Sequence, residues 1–126
     1  MRLLSRTIGA DRVVDELHVS FKHSQDMPWI LPGIPATNKD VEVIVVSIVC
    51  VRGGKLYHEH VYWDQAAVLV QVGLLDPKLV PEEMENKGVS RLPVVGREAA
   101  RRILNDGSGG KARNELIPGW HEERSD

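Results

Sequence analysis

The stretch from Asp40 to Asp64, DVEVIVVSIVCVRGGKLYHEHVYWD, decides the fold of this chain. It predicts two strands joined by Gly53-Gly54, a pair typical of two-residue β-hairpin turns. Because side chains alternate between the faces of a strand, one face of the second strand should carry His58, His60, Tyr62 and Asp64. If the turn has two residues, the register of the hairpin places five residues of the first strand on the same face: Val51, Val49, Ser47, Val45 and Val43. Titratable groups in an aliphatic lining indicate a pocket wall, although a solvated sheet face carries the same residue types.

Length and composition limit the classes of protein to be considered. The chain has 126 residues and a net charge of −2, which indicates one domain and gives no reason to expect nucleic acid or an anionic membrane as a partner. Its single cysteine, Cys50, lies within an apolar strand and fits core packing in a reducing, cytoplasmic setting. No apolar run is long enough for a membrane-spanning helix. We therefore expect a cytoplasmic domain over residues 1–106 and a flexible, glycine-rich tail over residues 107–126.

The segments before the central hairpin predict another hairpin and a long loop. Arg2–Ile8 and Arg12–His23 read as antiparallel strands, and the second has Leu17 on its core-like face and Glu16 on a mixed face. Ser24–Lys39 is rich in proline, which excludes a continuous helix or a central strand. A long ordered loop of this kind often serves as the lid or rim of a site.

Helices are predicted after the last strand and near the end of the domain. Asp64–Leu75 is apolar almost all round and begins with an aspartate suited to an N-cap. Gly96–Asn105 has an apolar stripe with Gly107 as its stop, and residues 76–95 should be loop. The strand Asp40–Val51 is apolar on both faces and needs cover on each. So small a chain can hardly cover these surfaces, so we expect at least a homodimer.

A metal is the first ligand that the pattern His58-x-His60 suggests, because imidazoles at positions i and i+2 point the same way. A third ligand is missing, since the chain turns helical after Asp64 and only His121 follows. We therefore expect no metal and no other cofactor. No serine lies in a G-x-S-x-G turn and no glycine-rich nucleotide loop is present, so neither a serine triad nor a nucleotide site is indicated.

General acid/base chemistry without a cofactor needs only one or two titratable groups in an apolar cavity, with donors for a developing enolate. Asp64 could be the acid or base, His60 and His58 the proton partner or oxyanion donor, and Tyr62 a neutral donor. A purely structural role for Asp64 competes with this reading, because aspartate is among the preferred helix N-caps. A cap that faces a pocket could serve both purposes.

The run from Trp29 to Leu75, WILPGIPATNKDVEVIVVSIVCVRGGKLYHEHVYWDQAAVLVQVGLL, resembles the SnoaL-like polyketide cyclases of the nuclear transport factor 2-like superfamily. That family has a "P-T-G" turn, a long central strand, "dGKI-x-E-H-x-x-x-x-D" and a helix reading "xxLLxQLG". The resemblance covers Leu3 to about Leu75. Pro35-Ala36-Thr37-Asn38 stands where the turn would be, Gly54-Lys55-Leu56 and Asp64 match the second motif, and Leu69–Gly73 matches the helix. His23 lies near the histidine that the family has at the end of its own strand.

The resemblance implies an α+β fold in which a curved antiparallel sheet closes over helices into a cone with a ligand pocket. It implies Asp64 as the acid/base. The family's N-terminal helices and first strand should precede Leu3, so the fold is expected to be truncated. The cone would then be closed by the helices Asp64–Leu75 and Gly96–Asn105 or by a second chain, or the pocket would be open. Further candidate ligand contacts are Tyr62, His23, Glu16 and Trp29.

The sequence therefore predicts a cofactor-free cyclase- or isomerase-type enzyme for a small apolar carbonyl compound such as a polyketide-like metabolite. The alternative is a non-catalytic small-ligand-binding or dimerisation module of the same fold. The row of titratable residues favours the enzyme, and the absence of the N-terminal helices favours the module.

Overall fold

The computed structural model describes residues 1–105 and shows an open, four-stranded antiparallel sheet in the order β1-β2-β3-β4, with short helices. The predicted tail over residues 107–126 lies outside the described residues. The α+β class agrees with the sequence-based prediction. The strands are β1 (Arg2–Ile8), β2 (Arg12–Lys22), β3 (Asp40–Arg52) and β4 (Lys55–Trp63), and the helices are α1 (Gln65–Gln71), α2 (Glu82–Glu85) and α3 (Arg97–Leu104).

One face of the sheet, which we call the core face, carries odd-numbered side chains of β2 and β3. Val19 lies opposite Val43, and Leu17 lies opposite Val45, as alternation along each strand requires. These residues pack against α1 and against the proline-rich segment between β2 and β3. The buried cluster comprises Val19, Ile30, Leu31, Val41, Val43, Val45, Val68 and Val72.

The proline-rich segment is held in place by His23, at the end of β2. The His23 backbone N–H donates to the Lys39 carbonyl, and the Asn38 N–H donates to the His23 carbonyl, each at 2.8 Å. The His23 ring is fully buried, and its Nδ1 accepts the backbone N–H of Thr37 at 3.1 Å. The two ends of the segment are thereby joined, which places Ile30 and Leu31 over the core face.

Helix α1 is shorter than the predicted Asp64–Leu75. It ends at Gln71, because Gly73 adopts a φ of 82°, in the left-handed region that favours glycine. Val68, within α1, and Val72, its C-cap, are buried against this chain's own sheet. The cover that the sequence analysis assigned to a second subunit is therefore supplied, on the core face, by α1 and the proline-rich segment.

The predicted loop over residues 76–95 contains the one-turn helix α2, which the sequence analysis missed. Glu82, Glu83 and Glu85 lie in its first turn, where carboxylates favour the helix dipole. Helix α3 agrees with the predicted Gly96–Asn105, because its capping residues are Gly96 and Asn105. Within residues 1–105, no helix is long and apolar enough to cross a membrane.

The register of the central hairpin differs from the predicted one. Arg52 pairs with Lys55 and Val51 with Leu56, but Cys50 then pairs with His58, so that Tyr57 is an extra residue on β4. Such a β-bulge shifts the remaining ladder by one position. The histidine row therefore does not share its face with Val49, Ser47 and Val45 as predicted. It lies beside Cys50, Ile48 and Val46.

Candidate functional site

The second face of the sheet, which we call the open face, has an apolar floor between two polar margins. The floor is formed by even-numbered side chains of β3. Ile44, Val46 and Ile48 are half-buried, and Cys50 is fully buried. Helix α3 covers one end of this face, and in the described residues no other helix of the chain packs along it. The open face is thus a shallow trough closed at one end.

The β4 margin of the trough carries His58, His60 and Tyr62 in one row. The rings of His58 and His60 are stacked, with centroids 4.7 Å apart and an interplanar angle of 18°. The centroids of His60 and Tyr62 are 6.4 Å apart in an edge-on arrangement. The buried Nδ1 of His58 has no hydrogen-bond partner. The row predicted from the sequence therefore exists, and it offers imidazole and phenol groups to a ligand above the floor.

The bulge brings Tyr57 to the same margin. Its ring centroid lies 5.4 Å from that of His58, which is possible for consecutive residues because a bulge turns both side chains towards one side. The guanidinium carbon of Arg52 lies 4.4 Å from the centroid of the Tyr57 ring. Tyr57 was not among the predicted site residues, because a local sequence pattern does not show where a bulge falls.

The β2 margin carries Glu16 and His18. Glu16 lies opposite Val46 on the open face, and its carboxylate accepts the Ser5 hydroxyl at 2.7 Å. His18 is buried, and its Nε2 lies 3.4 Å from Glu42 Oε1 without the alignment of a hydrogen bond. Two candidate margins therefore face each other across the apolar floor.

Glu42 joins the trough to α3. Its carboxylate accepts a hydrogen bond from Arg101 Nε at 2.9 Å and lies 3.9 Å from Arg97 Nη1. These contacts fix α3 over the end of the open face. Glu42 was not among the predicted site residues, because its two arginine partners lie 55 and 59 positions further along the chain.

Asp64 lies at this closed end. A pocket of about 140 Å³ separates α3 from the sheet there, lined by Asp64, Ile44, Ala100 and Ile103 among others. The pocket is smaller than the 300 Å³ or more usual for a drug-sized ligand, so it can hold only part of one. The exposed Asp64 is also the N-cap of α1, since its Oδ1 accepts the Ala67 N–H at 3.1 Å. Both readings of Asp64 are geometrically possible.

Two other candidate residues lie on the opposite side of the sheet. The buried His23 belongs to the link between β2 and β3 described above. Trp29 packs beside the core face, with its ring centroid 6.5 Å from Phe21 and 5.8 Å from Trp63. The predicted contacts are therefore divided between two faces, and a ligand on the open face does not reach His23 or Trp29.

Few groups could hold a metal. Within residues 1–105, no cluster of three or more histidine, cysteine, aspartate or glutamate side chains has the geometry to bind one. The stacked pair His58 and His60 offers two nitrogen ligands of the four that a structural zinc site uses. His121, the remaining histidine named for this role, lies outside the described residues.

Comparisons with known proteins show a likeness of fold. No protein-family profile and no curated protein matches the chain. TsrD from Streptomyces laurentii is 20% identical over 58% of this chain and 52% of its own, with a TM-score of 0.49. AclR from Streptomyces galilaeus, a proposed hydroxylase, is 21% identical over 68% of this chain and 53% of its own, with a TM-score of 0.51. The chain spans about half the length of these structures, and the match to AclR shows similarity of fold alone.

Proposed function

We propose that the open face binds a small apolar carbonyl compound and that the chain is a cofactor-free acid/base enzyme of the cyclase or isomerase type. The observation that carries the proposal is the row His58, His60 and Tyr62 beside the aliphatic floor of β3. An apolar floor favours an apolar ligand, and a few convergent polar groups fix its orientation. We further propose that the sheet is part of a cone-like, SnoaL-like domain, which the fold shared with AclR supports only at the level of architecture.

The spacing of Asp64, Tyr62 and His60 along the chain indicates which of them can act on the same part of a ligand. At roughly 3.3 Å per residue, Asp64 lies about 7 Å from Tyr62 and about 13 Å from His60 along the chain. Asp64 and Tyr62 can therefore flank one enolisable carbonyl, with the carboxylate taking the α-proton and the phenol donating to the enolate oxygen. His60 is too far away to share that proton, and it acts on a more distant group of the ligand.

The pocket under α3 limits the size of the reacting end. Because it holds only about 140 Å³, a ring-sized portion of the ligand would enter beside Asp64 while the rest lies along Val46 and Ile48. In this arrangement the α-carbon lies at the closed end, beside the apolar side chains of Ile44 and Ile103. The proposal therefore predicts elongated or fused-ring substrates with the carbonyl near one end.

A proton-exchange experiment tests this function. α-Tetralone, an apolar bicyclic ketone, is incubated with the full chain in D2O, and loss of its α-proton signal is followed by NMR. We expect the parent to accelerate exchange and Asp64→Asn to lose roughly 10²–10⁴-fold of that acceleration, the usual contribution of a positioned acid/base group. His60→Ala should lower the rate by a smaller factor.

The matched control is Glu59→Gln, which removes a carboxylate from the same strand but on the other face, where it contacts Ser47. Its exchange rate should equal that of the parent. Equal rates for Asp64→Asn and the parent, or no acceleration by the parent, would contradict the enzyme. Binding of α-tetralone without acceleration would support the alternative, a non-catalytic ligand-binding module, which the exposure of the trough and the capping role of Asp64 favour.

A further inference from the structure

Strand β4 is an unprotected edge of the sheet. It has nine residues, pairs with β3 on one side, and has no strand on the other within the described residues. Its exposed apolar and aromatic side chains include Leu56 at 64%, Tyr57 at 61% and Tyr62 at 57% exposure. Backbone N–H and C=O groups along such an edge are a ready template for another strand.

The opposite edge, β1, offers a shorter regular run than β4. Both edge strands carry charged side chains, Arg2 and Arg6 on β1 and Lys55 and Glu59 on β4, but the register shift between Leu3 and Ser5 leaves β1 only four regularly paired residues at its end. Charged side chains and bulges are the usual devices that keep an edge from pairing. On β4, the only irregularity lies near the start, at Tyr57, and residues 58–63 run regularly to the end of the strand.

We propose that β4 pairs antiparallel with β4 of a second copy of this chain, across a twofold axis at His60. A twofold axis of this kind places one residue of β4 directly opposite its own copy, so the numbers of all paired residues have the same even sum. The longest overlap, centred on residue 59, would place Glu59 directly opposite its own copy, which is unfavourable for like charges. The register centred on His60 opposes Glu59 with Val61 of the partner subunit, and its central pairs, over residues 58–62, lie outside the bulge.

This pairing joins the two open faces into one. The four-stranded sheet becomes an eight-stranded sheet, and His58 lies opposite Tyr62 of the partner subunit. The partner thereby adds a second row of imidazole and phenol groups to the exposed margin of the trough. The inference is independent of the proposed function, because a catalytic or a non-catalytic trough would be extended in the same way.

Disulfide trapping tests the register in the full chain. In a Cys50→Ala background, His60→Cys should form an intersubunit disulfide, because residues directly opposite in antiparallel strands have Cα atoms about 4.5–5.5 Å apart, within the range for disulfides. In the control variant Glu59→Cys, the Cα atoms of the two cysteines would be about 8 Å apart, beyond the range for disulfides. A disulfide at position 59 and none at position 60 would overturn the proposed register.

The edge itself is tested by placing a charge on it. Val61→Glu should convert the dimer, measured by light scattering, to a monomer, because it places a glutamate directly opposite Glu59 of the partner subunit, and like charges in that position oppose pairing. Ile8→Glu adds the same charge to the opposite edge and should leave the dimer unchanged. A monomeric parent at micromolar concentration, a dimer that survives Val61→Glu, or a dimer lost in Ile8→Glu would overturn the proposal. A monomer that still accelerates exchange of α-tetralone would leave the proposed function standing.

Discussion

The side-chain amide of Gln71, on α1, completes the backbone hydrogen bonding of Glu42, on β3. Gln71 Oε1 accepts the Glu42 N–H at 2.8 Å, and its Nε2 donates to the Glu42 carbonyl at 2.9 Å. Pairing of β3 with β4 begins only at Val45, so no strand reaches Glu42 on this side. The amide therefore takes the place of a neighbouring strand and joins α1 to the sheet.

Gln71→Leu should lower the free energy of unfolding by about 1–3 kcal/mol, because it leaves a backbone donor and acceptor of Glu42 without partners. Urea denaturation measures the change. The control is Gln25→Leu at an exposed position, which should stay within about 0.5 kcal/mol of the parent. A Gln71→Leu variant as stable as the control would show that water replaces the amide without cost.

Substitutions of Asp64 separate its cap from its proposed chemistry. Asp64→Asn should keep the stability of the parent within about 0.5 kcal/mol, because asparagine caps a helix about as well as aspartate. Asp64→Ala loses the bond to the Ala67 N–H and should cost about 1 kcal/mol. Thermal and urea unfolding of the two variants provide the measurement. Equal losses for both would mean that the charge, rather than the cap, stabilises this end of the sheet.

His23→Leu should destabilise the protein by about 1–3 kcal/mol, because the Thr37 N–H loses its acceptor in a buried position. Thr37→Val keeps that N–H and removes only the hydroxyl, which lies 2.9 Å from His23 Nδ1, so its cost should be smaller. Urea denaturation compares the two variants with His60→Leu, a histidine substitution at an exposed position. Similar stabilities for His23→Leu and His60→Leu would contradict the structural role of His23.

The Arg6–Asp15 pair predicts a pH-dependent contribution to stability. Two hydrogen bonds from the Arg6 guanidinium, at 2.8 and 3.0 Å, lower the pKa of the Asp15 carboxyl. A carboxyl whose pKa is lower in the folded state stabilises the fold above the unfolded-state pKa of about 3.9, and loses that contribution as pH falls through the folded-state value.

Arg6→Met should therefore be less stable than the parent near pH 7, and the difference should shrink below about pH 4. Urea denaturation at pH 7, 5, 4 and 3 follows the difference. Arg2→Met, which removes an exposed arginine from the same strand, controls for the change in net charge. A difference between Arg6→Met and the parent that is independent of pH would show that the pair does not act through Asp15.

The strand bounds and the residues on each strand face follow closely from the sequence. Predicted Arg2–Ile8 agrees with β1, and predicted Arg12–His23 exceeds β2 by one residue. The N-cap of α1 and the bounds of α3 were also predicted correctly. These features depend on alternation, capping residues and turn residues, which act between near neighbours in the chain.

The sequence by itself determined which side chains stand together in a row on β4, since alternation along a strand is local. Only the tertiary structure decided what that row faces. The bulge at Tyr57 turned it towards Cys50, Ile48 and Val46, and the path of the proline-rich segment placed His23 and Trp29 on the other side. Both outcomes depend on packing between segments far apart in the chain, because a one-residue shift in register exchanges the two faces of a strand without altering its local pattern.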